Sequence, residues 1–198
     1  MPPRHRTPSR ELQPAILGAA EDLLAEEGPA ALSIRRIAAR AGVAPMGLYT
    51  RFDGKHGVID ALFKEGFEAL EAAILATRTI PDPLDGFRSA GLAYRDLATS
   101  HPARYRVMFL QAIPGFEPST AAVNSASTSF LALVDAVRRC IDARVFRDGD
   151  PVEIAQDVWS ACHGWIALEL GGINFAADLD GGYGRLLDLL SVGLSARD

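Results

Sequence analysis

The stretch Ser33-Ile-Arg-Arg-Ile-Ala-Ala-Arg-Ala-Gly-Val-Ala-Pro-Met-Gly-Leu-Tyr-Thr-Arg-Phe52 leaves the chain few ways to fold locally. Ile34, Ile37, Ala38 and Ala41 recur at helical spacing, and Gly42 stands where the backbone needs a positive φ. Leu48 and Phe52 then restart an apolar stripe. Ser33 suits the N-cap of the first helix, its hydroxyl accepting an orphan amide. Pro45 fits the first turn of the second without losing a hydrogen bond. That second helix stops near Phe52, before Asp53-Gly54, and is too short to be stable alone. It must be held by Leu48 and Phe52 packing on its neighbours. Two helices across a glycine turn, the second presented by packing, form the outline of a helix-turn-helix.

The flanking pattern is helical throughout. Leu12, Ile16, Ala20, Leu23 and Leu24 make one stripe from about Glu11, ended by Gly28-Pro29. A longer fourth helix is expected from about Gly57 to Ala76, with Val58, Ala61, Leu62, Phe63, Phe67, Leu70 and Ile74 on its apolar side. Thr79-Ile-Pro-Asp-Pro83 reads as a linker. Further helices are expected at about Leu84–Ser100, Pro102–Leu110, Pro118–Ala143, Pro151–Leu170 and Tyr183–Leu194. Alternating strand patterns of useful length are missing, so the expected fold is all-α. Three parts are expected: a flexible basic arm over residues 1–10, a three-helix head over 11–56 and a helical body over 57–198. The arm is either a disordered tail or a minor-groove arm using Arg4 and Arg6.

At 198 residues and 48 % hydrophobic, the chain can bury a substantial core. Its net charge of -5 excludes a protein that coats nucleic acid uniformly. Residues 1–60 hold eight Lys and Arg against seven Asp and Glu, whereas residues 61–198 hold twelve against eighteen. A near-neutral head on an acidic body suits local phosphate contact by a few placed cations. Cys140 and Cys162 form no paired motif. The basic N-terminus is not followed by an apolar core, and no stretch approaches about eighteen uninterrupted apolar residues, so a cytoplasmic chain with no membrane partner is expected. His5, His56, His101 and His163 stand apart from one another and from any cysteine at metal-ligand spacing. With no phosphate loop or serine elbow either, neither an enzyme nor a bound metal or cofactor is expected.

The run from Ile16 to Leu62, with Ile37-Ala38, Ala41-Gly42-Val43 and the ending Leu48-Tyr49-x-x-Phe52-x-x-Lys55, resembles the N-terminal domain of the TetR family of bacterial transcriptional regulators. The resemblance implies a recognition helix in the major groove of duplex DNA. It puts Ala44, Pro45, Met46 and Gly47 at the bases, with Thr50 one turn on. It puts Tyr49 and Lys55 on backbone phosphates, with Ser33 able to join them while capping its helix. Arg35 matches a position that reaches a base edge or a phosphate. Arg36 and Arg40 either add general electrostatic attraction or form a solvated charged face. Family members often carry a hydroxyl at the positions of Ala44 and Gly47, and this chain has none there. Direct base readout should therefore be weak, with Arg35 the best candidate for a guanine contact and DNA shape carrying more of the selectivity.

Trp159-x-x-x-His163-Gly164, within Ala155–Leu170, resembles a C-terminal domain of one TetR branch, as does His101-Pro-Ala-Arg-Tyr-Arg-Val-Met-Phe109. Ser160, Gly164, Ala167 and Gly171 form a small-residue ridge at helical spacing, and the last helix offers Leu186 and Leu190 among its leucines. These two helices are expected to make the seam of a homodimer reading a palindromic operator, with two heads about 34–36 Å apart or a multiple of that. The resemblance further implies a small-molecule effector held among the body helices. Candidate lining residues are Tyr94, Met108, Phe109, Phe116, Phe130, Trp159 and His163, and ordinary core packing is the alternative for each. Ligand binding would shift the fourth helix and lower DNA affinity, although activation by ligand stays open. A helical protein-binding adaptor is the competing function.

Overall fold

The computed structural model describes residues 12–196, so Arg4 and Arg6 of the expected arm lie outside the described residues. Among them are nine helices: α1 (Leu12–Glu27), α2 (Ile34–Ala41), α3 (Pro45–Phe52), α4 (Gly54–Ala76), α5 (Pro83–Ser100), α6 (Pro102–Phe109), α7 (Thr120–Asp142), α8 (Pro151–Leu170) and α9 (Leu179–Leu194). No strand occurs among the described residues, only an isolated bridge between Phe146 and Ser195. The fold is all-α.

The chain packs as two compact units. The first runs to Gly66 and takes in Ala103–Val123; the second holds Phe67–Pro102 and the residues from Asn124 on. The core of unit one gathers Ile16, Leu17, Ala20 and Leu23 of α1, Ile37 and Ala38 of α2, Leu48 and Phe52 of α3, and Val58, Ile59 and Leu62 of α4. Leu48 is 0 % and Phe52 8 % exposed, which explains how an eight-residue helix persists. Full burial of such side chains is worth about 1.5–3 kcal/mol each. Gly42 ends α2 in the left-handed region at φ 68°, and its amide closes on the Ala38 and Ala39 carbonyls. Asp53 adopts φ 54° and ends α3. With Gly54 at φ 89°, α4 begins at once, three residues ahead of the expected start. A Cβ at Gly57 would run into the Phe52 carbonyl, so glycine there lets α3 abut α4.

Residues 103–123, expected in the body, pack with the head instead. Val107 and Ile113 join its core, and Phe116 packs against it. Met108 lies over Gly66, where any Cβ would strike its sulfur. Arg104 donates to Glu21 of α1 at 2.6 Å, with both side chains largely buried. Asp60 accepts from the Ser119 amide at 2.7 Å and from its hydroxyl at 2.8 Å, while Ser119 Oγ accepts from Ala122 N and so caps α7. The expected boundary between His56 and the body therefore differs from the packing, which divides α4 at Gly66 and Phe67.

Unit two is organised by aspartate caps. Asp82, Asp150 and Asp178 accept from the Asp85, Val152 and Gly181 amides and start α5, α8 and α9, the first two followed by a proline. Asp178 explains why α9 starts at Leu179 rather than at the expected Tyr183: the cap carries the helix through Gly181-Gly182. Phe87 meets Phe146 edge-on at 5.0 Å, and the Tyr183 hydroxyl donates to the Gly91 carbonyl at 3.0 Å.

Candidate nucleic-acid interface

The exposed face of the helix-turn-helix follows from which residues its core consumes. With Ile37, Ala38, Leu48 and Phe52 turned inward, Ser33, Arg35, Ala44, Pro45, Met46, Tyr49, Thr50 and Lys55 are exposed, and Gly47 is half-buried. Met46 is 72 % and Tyr49 56 % exposed, unusual for side chains of this kind with nothing to cover. Ser33 Oγ accepts from the Arg36 amide at 3.3 Å, which leaves its O–H to donate elsewhere. Thr50 spends its proton on the Met46 carbonyl at 2.9 Å, so toward a base it offers only acceptor lone pairs. Ala44 gives α3 no side-chain cap.

The cations of the head sort into two groups. Among the described residues, the Arg35 and Lys55 side chains make no ion pair or hydrogen bond, and Arg51 donates to Gln13 at 3.3 Å. Arg36 and Arg40 are paired instead with Glu27 and Glu26 at the end of α1. Hydrogen bonds from these arginines hold the Glu26 and Glu27 carboxyls below the usual range, and the same bonds raise both guanidinium pKa values. The sequence alone allows Arg36 and Arg40 either general attraction or a solvated face. Their i, i+4 spacing is a signal, but their partners appear only once α1 lies beside α2.

The seven candidate ligand residues fall in different units. Tyr94, Phe130, Trp159 and His163 come together in unit two. The Trp159 indole donates to the Tyr94 oxygen at 3.1 Å, and that hydroxyl lies 3.1 Å from His163 Nδ1. Phe130 and His163 flank the Trp159 ring at 6.1 and 5.8 Å. Burial lowers the His163 pKa. Met108, Phe109 and Phe116 belong to unit one, where the Phe109 ring meets Tyr105 at a tilt at 4.8 Å and Phe116 meets His56 likewise at 5.3 Å. Sequence reasoning missed an open cleft of about 750 Å³ in unit two, lined by Leu92, Arg95, Glu169 and Asp178–Asp180. None of the seven candidates lines it.

The candidate dimer residues belong to α8, its C-cap Gly171, and α9. Ser160, Gly164 and Gly171 are exposed, and Ala167, Leu186 and Leu190 half-buried. A Cβ at Gly164 would meet nothing within 4 Å. On the same two helices Leu168, Leu189 and Val192 are 46 %, 71 % and 73 % exposed. Both cysteines are buried, which pushes Cys140 up to about 11 and raises Cys162, so neither thiol is poised as a nucleophile. No helix among the described residues is long and apolar enough to cross a membrane, and none of their His, Cys, Asp and Glu side chains gather into a metal site.

Comparison with known proteins agrees with the head and extends to the body. Residues 16–62 match the profile of bacterial regulatory proteins of the tetR family, and residues 87–190 match that of a tetracyclin repressor-like C-terminal domain. An uncharacterised HTH-type transcriptional regulator of Mycobacterium tuberculosis, Rv0681, is 25 % identical, covering 96 % of this chain and 84 % of its own. A Rhodococcus sp. RHA1 protein of unknown function has a similar structure, with TM-score 0.82, 26 % identity and coverage of 97 % of this chain and 100 % of that one. The TetR family regulator PfmR of Thermus thermophilus shares the fold at TM-score 0.72 and 22 % identity, covering 91 % and 98 %.

Proposed function

We propose, on the premise that this chain belongs to the TetR family of bacterial regulatory proteins, that it is a repressor released from DNA by a small, largely apolar ligand. As a DNA-binding transcriptional regulator it acts in this reading as a cytoplasmic homodimer on a palindromic operator. The observation that carries it is the exposed set Arg35, Met46, Tyr49 and Lys55 around a short helix locked from behind by Leu48 and Phe52. A few placed donors beside a rigid, base-sized helix start suit phosphate clamping in the major groove.

The exposed ridge of Ser160, Gly164 and Gly171, with Leu168, Leu189 and Val192, supplies the apolar, closely approachable surface that a second copy would cover. The ligand site in this reading centres on Tyr94, Trp159 and His163, whose polar atoms sit among apolar groups and can orient one ligand group. Met108, Phe109 and Phe116 are left to the head's packing. Helix α4 carries Lys55 in its first turn and continues to Ala76, so a ligand favouring one setting of that helix would re-aim the phosphate clamp.

Sedimentation equilibrium combined with an operator-release screen tests this reading. A dimer that small apolar compounds strip from its selected operator, with quenching of tryptophan fluorescence, is the expected result. A monomer overturns the palindromic reading. Compounds that tighten operator binding reverse the sign and make the protein a ligand-dependent binder.

A further inference from the structure

Arg36 and Arg40 lie four residues apart on α2 and so project along one side of it. That side faces the acidic end of α1. Arg36 Nη2 meets Glu27 Oε1, and Arg40 grips Glu26 through both terminal nitrogens at 3.0 and 2.7 Å, with Asp22 at 4.0 Å. All the side chains are solvent-exposed, from 35 % for Arg40 to 61 % for Asp22, and exposed pairs of this sort contribute little to stability. What they do consume is geometry. Each carboxylate occupies N–H donors that a guanidinium otherwise offers to phosphate. Both arginines sit on the helix that Ser33 caps and that carries Arg35, beside the DNA-reading face.

We propose that Glu26 and Glu27 are phosphate surrogates built into the head: they hold Arg36 and Arg40 in pairs that a DNA backbone must displace, and so keep affinity for arbitrary duplex low. Binding then exchanges one anion for another at each guanidinium. A displaced carboxylate also faces a phosphate with no cation between them, which disfavours the exchange. The cations left without a carboxylate partner are Arg35, the candidate base reader, and Lys55, the candidate phosphate clamp, so selectivity rises as non-specific binding falls. This inference rests on the DNA-reading role of the head.

The test is the salt dependence of binding to a short duplex of random sequence, by fluorescence anisotropy, for the parent and an E26Q/E27Q variant. Glutamine keeps the size and one acceptor oxygen while removing the charge. Two released arginines should steepen the slope of log K against log salt by up to about 1.8, so that the variant's advantage grows about tenfold between roughly 200 and 50 mM salt. Adding R36A/R40A should abolish the gain in the variant but change the parent little. A single E27Q variant, releasing Arg36 alone, should give about half the change in slope. Parent-like slopes in both glutamine variants, with salt-dependent binding intact, overturn the proposal alone. So does a gain that survives R36A/R40A, because it reports bulk charge. A parent with no salt-dependent duplex binding removes the DNA-reading role and the proposal with it.

Discussion

The Tyr94 hydroxyl and His163 Nδ1 lie 3.1 Å apart in unit two although 69 positions separate them in sequence. The Trp159 indole can only donate, so it occupies a lone pair of the Tyr94 oxygen, and the phenol can donate to Nδ1 when that nitrogen is unprotonated. That arrangement needs a neutral imidazole. Burial supplies it by holding the His163 pKa below its ordinary 6.5.

The folded protein therefore binds fewer protons at His163 than the unfolded chain does. The stability linked to this group is complete above the ordinary value of 6.5 and is lost as pH falls through the lower folded value. Urea unfolding between about pH 8 and pH 5 should show the parent losing stability on acidification more steeply than a His163→Asn variant. Parallel curves would mean that His163 is not held neutral.

Removing the shared oxygen with Tyr94→Phe should cost about 1–3 kcal/mol, because the indole N–H loses an acceptor inside a mostly apolar site. Denaturant midpoints at neutral pH measure this. A change near zero would place the hydroxyl in contact with water.

Gly57→Ala should destabilise unit one by about 1–3 kcal/mol, since the added methyl meets backbone at the Phe52 carbonyl and α3 has to shift. Gly18→Ala, in α1 with nothing within 4 Å of its new methyl, should instead gain up to about 1 kcal/mol from helix propensity. Calorimetry distinguishes the two, and DNA affinity should follow only the first.

Lys55→Ala should weaken binding to every duplex alike and reduce the salt slope by about 0.9, the signature of one lost phosphate contact. Arg35→Ala should cost about 1–3 kcal/mol of discrimination between a selected duplex and random DNA at fixed salt. Unchanged discrimination would assign Arg35 to phosphate and leave base reading to Met46 and DNA shape.

The local grammar of the head was legible in the sequence because short-range chemistry decides it. Ser33 caps α2, Gly42 takes the positive φ, and Leu48 and Phe52 turn inward, as their spacing required. The span of α8 was also readable, since Asp150-Pro151 opens it and Gly171-Gly172 closes it. Residues 103–123 were not. The apolar pattern of Tyr105, Val107 and Met108 shows a buried face without saying which core buries it, and that choice rests on partners such as Glu21, 83 positions from Arg104. For the same reason the pairing of Arg36 and Arg40 with α1 was invisible, and the aromatic residues expected to line one site divided between two units.

Selection of bound duplexes from a random pool tests the dimeric DNA-reading role most directly. Two inverted half-sites at a fixed separation, about 10–10.5 base pairs or a multiple, are the expected result, with few strongly fixed bases opposite Ala44-Pro-Met-Gly47. Enrichment of no motif, or of a single unrepeated half-site, would contradict it.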